Sequence, residues 1–433
     1  MKNNILRNKM FITFAVCAAL AVGAGAVACS SGSKNSSSGS SDEAADSQIG
    51  NTGKNTGSTG TGNGAGSSAD VEEMALKITD KDRDTSYSGS DSKLIQLKDD
   101  MGAEKITEEG TYVVTGSTNN GMIIIDAGEE NDVHLVLRDC TILSPTSAAV
   151  YVLSADEVYI TLEGSNTLGN GGSYVAIDEN DIDAVIYAKD DLTLNGSGTL
   201  NIDASTGHAI VCKDDMVITG GTYTLMAEED GINTNDSLAI TDGTFDISCG
   251  DDAIHTDGIL QIDGGAFTIV AAEGLEGTYI TINDGTFVID ASDDGINAAQ
   301  KVEDYMATLN INGGDICITM GAGDTDGIDS NGNLYINGGV ISITAQSAID
   351  YDGEARKTGG TLIVNGQETD SIPNQMMGGH GGMGGDPAGM QGGRGGMNGQ
   401  MPDGQTPDGQ FPEGMGPQDD SFRGGRNQGG RMG

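Results

Sequence analysis

Leu238-Ala239-Ile240-Thr241-Asp242-Gly243-Thr244-Phe245-Asp246-Ile247-Ser248-Cys249-Gly250-Asp251-Asp252-Ala253-Ile254 is the stretch whose reading decides the fold. It holds an alternating apolar strand, a glycine turn, a second alternating strand, and then acidic residues ahead of a small residue and an aliphatic one. This unit returns about every 22 residues between Ile186 and Gly366, the kind of period that marks the coils of a solenoid. The first strand recurs as Leu260/Ile262, Ile280/Ile282, Leu309/Ile311 and Leu334/Ile336, with earlier copies at Leu192 and Met216. The second recurs as Tyr223/Leu225/Ala227, Phe245/Ile247/Cys249, Phe267/Ile269/Ala271, Phe287/Ile289/Ala291 and Ile341/Ile343/Ala345, in the size order large, medium, small.

Alternation with period two places those side chains on one face of each strand, and their recurrence stacks each above its counterpart in the next coil. The chain is therefore expected to be all-β, a parallel β-helix of about ten coils. Right-handed winding follows from the general rule for parallel crossovers. Helical periodicity is nearly absent, and 69 glycines with 4% aromatics suit short strands joined by tight corners. Cys249 occupies a slot that neighbouring coils fill with alanine, which predicts a buried thiol. Cys140, Cys212, Cys249 and Cys317 show neither zinc-ligand spacing nor a plausible disulfide partner.

Four segments are expected. Residues 1–28 read as an export signal, with Lys2, Arg7 and Lys9 before an uncharged stretch. Ala26-Val27-Ala28-Cys29 resembles a bacterial lipobox, with Ala26 where that pattern usually has Leu, so Cys29 is the expected lipidation site. An uncleaved membrane span is the alternative, and both readings put the rest of the chain outside the cell. Residues 29–70 are a Ser/Gly-rich tether, residues 71–373 carry the β-helix, and residues 374–433 form a Gly/Met/Gln/Pro-rich tail expected to be disordered. Residues 71–105 carry little pattern.

With 65 acidic against 21 basic residues, the formal net charge is −44. That repels nucleic acid and anionic lipid and favours metal cations. The acids are not scattered. Asp183, His208, Asp230, Asp252, Glu273, Asp294 and Asp326 recur at one corner, and Asn233, His255, Glu276, Asn297, Asp329 and Asp350 follow three residues later. Neighbouring coils lie about 4.8 Å apart. Carboxylates in register at that distance repel by about 1 kcal/mol in water and about 3 to 4 kcal/mol at an effective dielectric of 20. Asp230, Asn233, Asp252, Glu273, Asp294, Asn297, Asp326 and Asp329 therefore form a candidate ladder for Ca²⁺, which takes oxygen ligands at adjustable distances. The plainer alternative is that these are turn residues, accepting bonds from backbone N–H groups and facing solvent.

Two motifs and a lyase reading find weak support. Asp324-Thr325-Asp326-Gly327-Ile328-Asp329 lacks the spacing and closing Glu of an EF-hand. Asn233-Thr234-Asn235-Asp236 and Gly250-Asp251-Asp252 are similar to the acidic motifs of polygalacturonase-type hydrolases. The Gly-His-Gly and Arg-Ile-Lys motifs of those enzymes are absent here. A lyase needs a base to take the proton alpha to a carboxylate, and His255 is the lone candidate. Lys189 and Lys213 precede strands, and Lys301 lies in an insertion, so none of these lysines is expected at the acidic corner. Insertions near residues 169–183 and 298–307 are placed to form a lip over that face. Tyr159 and Tyr335 alternate with apolar neighbours and are expected to face solvent.

Residues 106–116 (Ile106-Thr107-Glu108-Glu109-Gly110-Thr111-Tyr112-Val113-Val114-Thr115-Gly116), Val133-His134-Leu135-Val136-Leu137, Asp156-Glu157-Val158-Tyr159-Ile160-Thr161-Leu162 and Lys189-Asp190-Asp191-Leu192-Thr193-Leu194-Asn195-Gly196-Ser197-Gly198-Thr199-Leu200 carry a family resemblance. Over residues 106–366 the chain resembles clostridial β-helix carbohydrate-binding proteins, which look like polysaccharide lyases without the catalytic residues. The resemblance implies calcium on the β-helix and binding of cellulose or an acidic plant polysaccharide such as polygalacturonate, without catalysis. The absence of Trp and the inward aromatics favour the acidic glycan over neutral sugar stacking. A monomer with a lipid anchor, bound to polysaccharide and not to nucleic acid, is expected. The alternatives are a pectin lyase or glycoside hydrolase, and a cell-surface spacer that needs calcium only to fold.

Overall fold

A computed structural model describes residues 75–323 and 325–374. Cys29, the signal, the tether and nearly all of the tail lie outside the described residues. Alternating side chains and glycine corners give three strands per coil, and these stack into three parallel sheets. In the first sheet eleven consecutive parallel pairings join twelve rungs, from Lys93–Leu97 to Ala355–Lys357. The parallel β-helix is thus as expected, with about twelve coils in place of ten. One additional coil comes from residues 93–106, whose strands Lys93–Leu97 and Gly102–Ile106 pair with the next coil although their sequence shows little alternation. One antiparallel strand, Gln367–Thr369, pairs with Thr361–Val364 at the last rung.

The second strand of each repeat builds the second sheet, and its large slot faces inward as the pattern requires. Tyr223, Phe245, Phe267 and Phe287 pair in register and stack with ring centroids 4.9, 4.7 and 4.6 Å apart and planes within 9°. The spacing of parallel strands sets that of the rings, so the backbone ladder and the aromatic column are satisfied together. Each such contact adds about 0.5 to 1.5 kcal/mol beyond burial of the rings. The turn before each aromatic is tight. Gly243 has φ +139°, and a Cβ there would lie 2.8 Å from the Phe245 ring. Outside, Asn283, Asn312 and Asn337 repeat the logic with amides: each donates to the acceptor one coil before, at 2.7, 2.8 and 2.9 Å.

Residues 76–88 cross the outer face of the first sheet as a strap. Leu76 N–H donates to Gln261 Oε1, Asn195 Nδ2 and Thr219 Oγ1 donate to Asp82 O, and Tyr87 Oη donates to Glu163 Oε1. A single helical turn, α1 (Asp80–Arg83), is fixed by a capping box in which Thr79 and Asp82 exchange side-chain-to-backbone bonds. The strap corrects one expectation. Tyr159 is buried, 5% exposed, with the Lys81 ammonium 4.7 Å above its ring. Tyr335 remains half-exposed. Cys249 is also a correction, being half-buried at the core's edge, because its strand ends where the chain turns outward to Asp251.

The insertion at 171–183 folds over the third sheet. Tyr151, Tyr187, Ile182 and Val211 form a small apolar cluster there, separate from the main core, and Tyr151 Oη donates to Asp178 Oδ2 at 2.7 Å. Phe267 has an aromatic neighbour on both sides, so Phe267→Ala is expected to destabilise the domain by about 3 to 5 kcal/mol, measured by chemical denaturation. Phe287→Ala, at the end of the column, should cost less.

Candidate functional site

The acidic corner lies where the chain leaves the second sheet and enters the third. Its small residue and aliphatic explain the local fold: Ile232, Ile254, Leu275, Ile296 and Ile328 turn inward in register, which drives the flanking polar positions outward. Two files result. Asp252 pairs with Glu273 in one, and Asn233, His255, Glu276, Asn297 and Asp329 pair successively in the other. The eight expected ligands are thus all on these two files or, for Asp230, Asp294 and Asp326, at the corner that feeds them.

The turn-residue alternative is half right. Asp230 Oδ1 accepts the Asp252 N–H and Asp294 Oδ1 accepts the Asp326 N–H, both at 3.0 Å, so a carboxylate of one coil caps the backbone of the next. Yet not all of these groups face solvent: Asp230, Asp252, Glu276 and Asn297 are buried, between 4% and 8% exposed, while Glu273, Asp294, Asp326 and Asp329 are half-buried.

Charge divides the ladder. In its middle, His255 Nδ1 lies 2.8 Å from both Asp252 Oδ2 and Glu276 Oε2, and Lys301 Nζ lies 2.8 Å from Glu276 Oε1. This overturns the expectation that no lysine reaches the corner. The insertion holding Lys301 is anchored by its N–H to Thr278 Oγ1 and folds back over the ladder. Burial opposes charge on His255, but its bonds to Asp252 and Glu276 prevail and push the imidazolium up to about 10. Burial likewise opposes ionisation of Glu276, and hydrogen bonds from His255 and Lys301 prevail, pulling the carboxyl down to about 2. Asp252, by contrast, is pushed up to about 6 by burial. In this geometry His255 sits between two carboxylates as their counter-ion. Asp230 is held in a second compensated group, donated to by Asn233 Nδ2 at 2.7 Å and flanked by His208 Nδ1 at 3.1 Å.

Glu273, Asp294 and Asp329 are shifted the other way. Glu273 is pushed up to about 8 by burial and then by the Glu276 charge, although Asn297 Nδ2 donates to it at 3.0 Å. Asp294 rises to about 7 through burial and the charges of Asp329 and Asp293, and Asp329 to about 6 through burial and Asp326. Ser347 Oγ donates to Asp326 Oδ1. Between them sits Asn297, whose Nδ2 points back to Glu273 and Glu276 while its Oδ1 is buried with no hydrogen-bond partner among the described residues. An orphaned buried acceptor costs about 1 to 3 kcal/mol. Among the described residues, tight clusters of three candidate ligand groups are Asp252/His255/Glu276, Asp191/Asp214/Asp215 and Asp230/Asp251/Asp252. Glu273, Asp294, Asp326 and Asp329 are spread along the file instead. Asp251, the exposed member of the last cluster, and Glu276 and Lys301 are the residues that the ligand assignment from sequence left out. The repeat itself marks Glu276, while nothing in the pattern marks Lys301.

A family model described as carbohydrate-binding domain-containing protein matches residues 102–371. The chain belongs to this family. The match ends within a few residues of the span over which the sequence resemblance runs. A carbohydrate-binding domain-containing protein of Acetivibrio thermocellus is 37% identical over 127 residues, 28% of this chain and 44% of the relative. The matched region thus spans less than half the length of that protein. A solved structure described as the polysaccharide lyase-like protein from C. thermocellum, gadolinium derivative, is 26% identical. It covers 63% of this chain and 96% of its own, with a TM-score of 0.40.

Within this carbohydrate-binding domain, Glu273, Asp294 and Asp329 hold protons in the folded chain at pH values where the unfolded chain has released them. Folding stability in chelator should therefore fall as pH rises from about 4 to about 8, and the loss of the His255 charge toward pH 10 extends the fall. Thermal melts across that range check this. Asp294→Asn is expected to flatten the slope and raise the melting temperature on its alkaline side.

Proposed function

We propose that this protein is a non-catalytic, cell-surface polysaccharide-binding module that holds acidic plant polysaccharide such as polygalacturonate, or cellulose, through calcium on the acidic corner. Membership of the carbohydrate-binding family supports the polymer. One observation carries the metal: burial and neighbouring carboxylates push Glu273, Asp294 and Asp329 up together, and among the described residues the buried Asn297 Oδ1 beside them has no donor. Glu273, Asp294, Asn297, Asp326 and Asp329 would hold a hard divalent cation there, with water completing the shell. Asp230, Asp251 and Asp252 are a second all-oxygen set. When bound, calcium supplies positive charge to which uronate carboxylates can coordinate. The anchor at Cys29 holds the module outside the cell as a monomer.

The lyase reading loses support from the same geometry. His255 is occupied as a cation between two acids, and Lys301 is bound to Glu276. A base that already carries its proton cannot abstract another.

Retention of the full chain on insoluble pectate and on cellulose, with calcium and with chelator, tests the reading. Pectate retention is expected with calcium and not with chelator, and no unsaturated uronides should appear in the supernatant. Asp294→Asn with Asp326→Asn should weaken calcium-dependent retention about tenfold, as loss of two charged ligands predicts. Released oligosaccharide would make the protein an enzyme. Failure to bind either polymer under any condition would leave the spacer reading.

A further inference from the structure

A cleft of about 410 Å³ opens between the strap and the first sheet, far along the coils from the ladder just described. Its floor is a register row, His134 beside Tyr159, and its walls bring in Lys81 and Asp84 from the strap and Glu109 and Asp132 from the corner before the sheet. The strap makes this cleft, since without it the row would be an open strand face.

Hydrogen bonding fixes what the cleft offers. Asn195 Nδ2 donates to Asp82 O at 3.1 Å and Asp84 O at 3.4 Å, which leaves its Oδ1 to accept from Thr161 Oγ1 at 2.5 Å. With its hydrogen spent, Thr161 accepts from His134, 2.7 Å away, so Nε2 carries the imidazole proton. His134 Nδ1 is left as a lone pair on a ring that lines the cleft. Burial favours this neutral form, holding His134 below its ordinary value. Asp132 Oδ2 takes Lys81 at 2.7 Å, while its Oδ1 is buried with no donor. Asp84 and Glu109 add carboxylates on the exposed rim. The lining is therefore rich in acceptors, with the single ammonium of Lys81 already paired to Asp132.

We infer that this cleft is a saccharide subsite for an uncharged, hydroxyl-rich pyranose, distinct from the acidic corner. Sugar hydroxyls supply donors to His134 Nδ1 and to the rim carboxylates of Glu109 and Asp84, the latter with Oδ1 already accepting the Ser86 N–H at 2.9 Å, and a uronate would add a further negative charge to a cleft whose acids already outnumber its lysine. This assignment rests on the family's carbohydrate-binding character and not on calcium at the ladder.

Calorimetry of the full chain in chelator, titrated with cellohexaose and with hexagalacturonate, tests it. Cellohexaose is expected to bind and hexagalacturonate to give no heat. His134→Phe should weaken cellohexaose about tenfold and Glu109→Ala several-fold, as for a saccharide hydroxyl deprived of its acceptor, while Asp246→Asn, exposed on the second sheet, leaves it unchanged. Should His134→Phe fail to fold, Glu109→Ala on the rim decides. The assignment falls if cellohexaose does not bind in chelator, if both cleft variants bind it as well as the parent, or if Glu109→Ala abolishes a calcium heat with no sugar heat present. Loss of calcium-dependent pectate retention alone would sink only the reading of the acidic corner.

Discussion

Every coil lies one strand spacing from the next, and the parallel ladder allows no other register. A residue's nearest neighbours are therefore its own counterparts in the adjacent coils. Where the counterparts attract, repetition stabilises: the Tyr223 to Phe287 column and the Asn283 to Asn337 amides gain from each added copy. Where they repel, repetition accumulates cost. The acidic corner repeats charge from coil to coil, so its energetics depend on what is placed beside it.

The molecule answers that cost in two ways. Around Asp252 and Glu276 it supplies its own cations, one from within the file and one from an insertion. Beyond them it leaves acids that retain protons well above the ordinary carboxylate range. The difference is one of partners rather than of burial, since Glu276 is more buried than Glu273 or Asp294 and yet ionises readily. A repeat protein can thus carry a compensated and an uncompensated site on one uninterrupted surface.

What was legible in the sequence follows from the same register. Strand, turn and inward slots could be read because each recurs, and so could both files of the corner. Non-recurring elements escaped. Lys301 sits in an insertion with no counterpart in other coils, so nothing in the period directs it to Glu276. The strap reaches the first sheet through single contacts at Gln261, Thr219, Asn195 and Glu163. None of these has a local signature. Tyr159 differs from its expectation for that reason: its alternation correctly puts it outside the core, and a segment remote in sequence covers it.

The direction of the strap has a mechanical consequence. It enters at the rung of Gln261 and runs back toward the first coils before the winding begins at Lys93. Tension arriving along the chain from before residue 75 therefore meets Leu76 first, and strips the strap contact by contact toward Tyr87 before it loads any backbone ladder. Peeling breaks bonds singly, whereas shearing a rung must break several at once. The coils are in this way mechanically insulated from whatever pulls on the preceding chain, and the strap yields as a fuse.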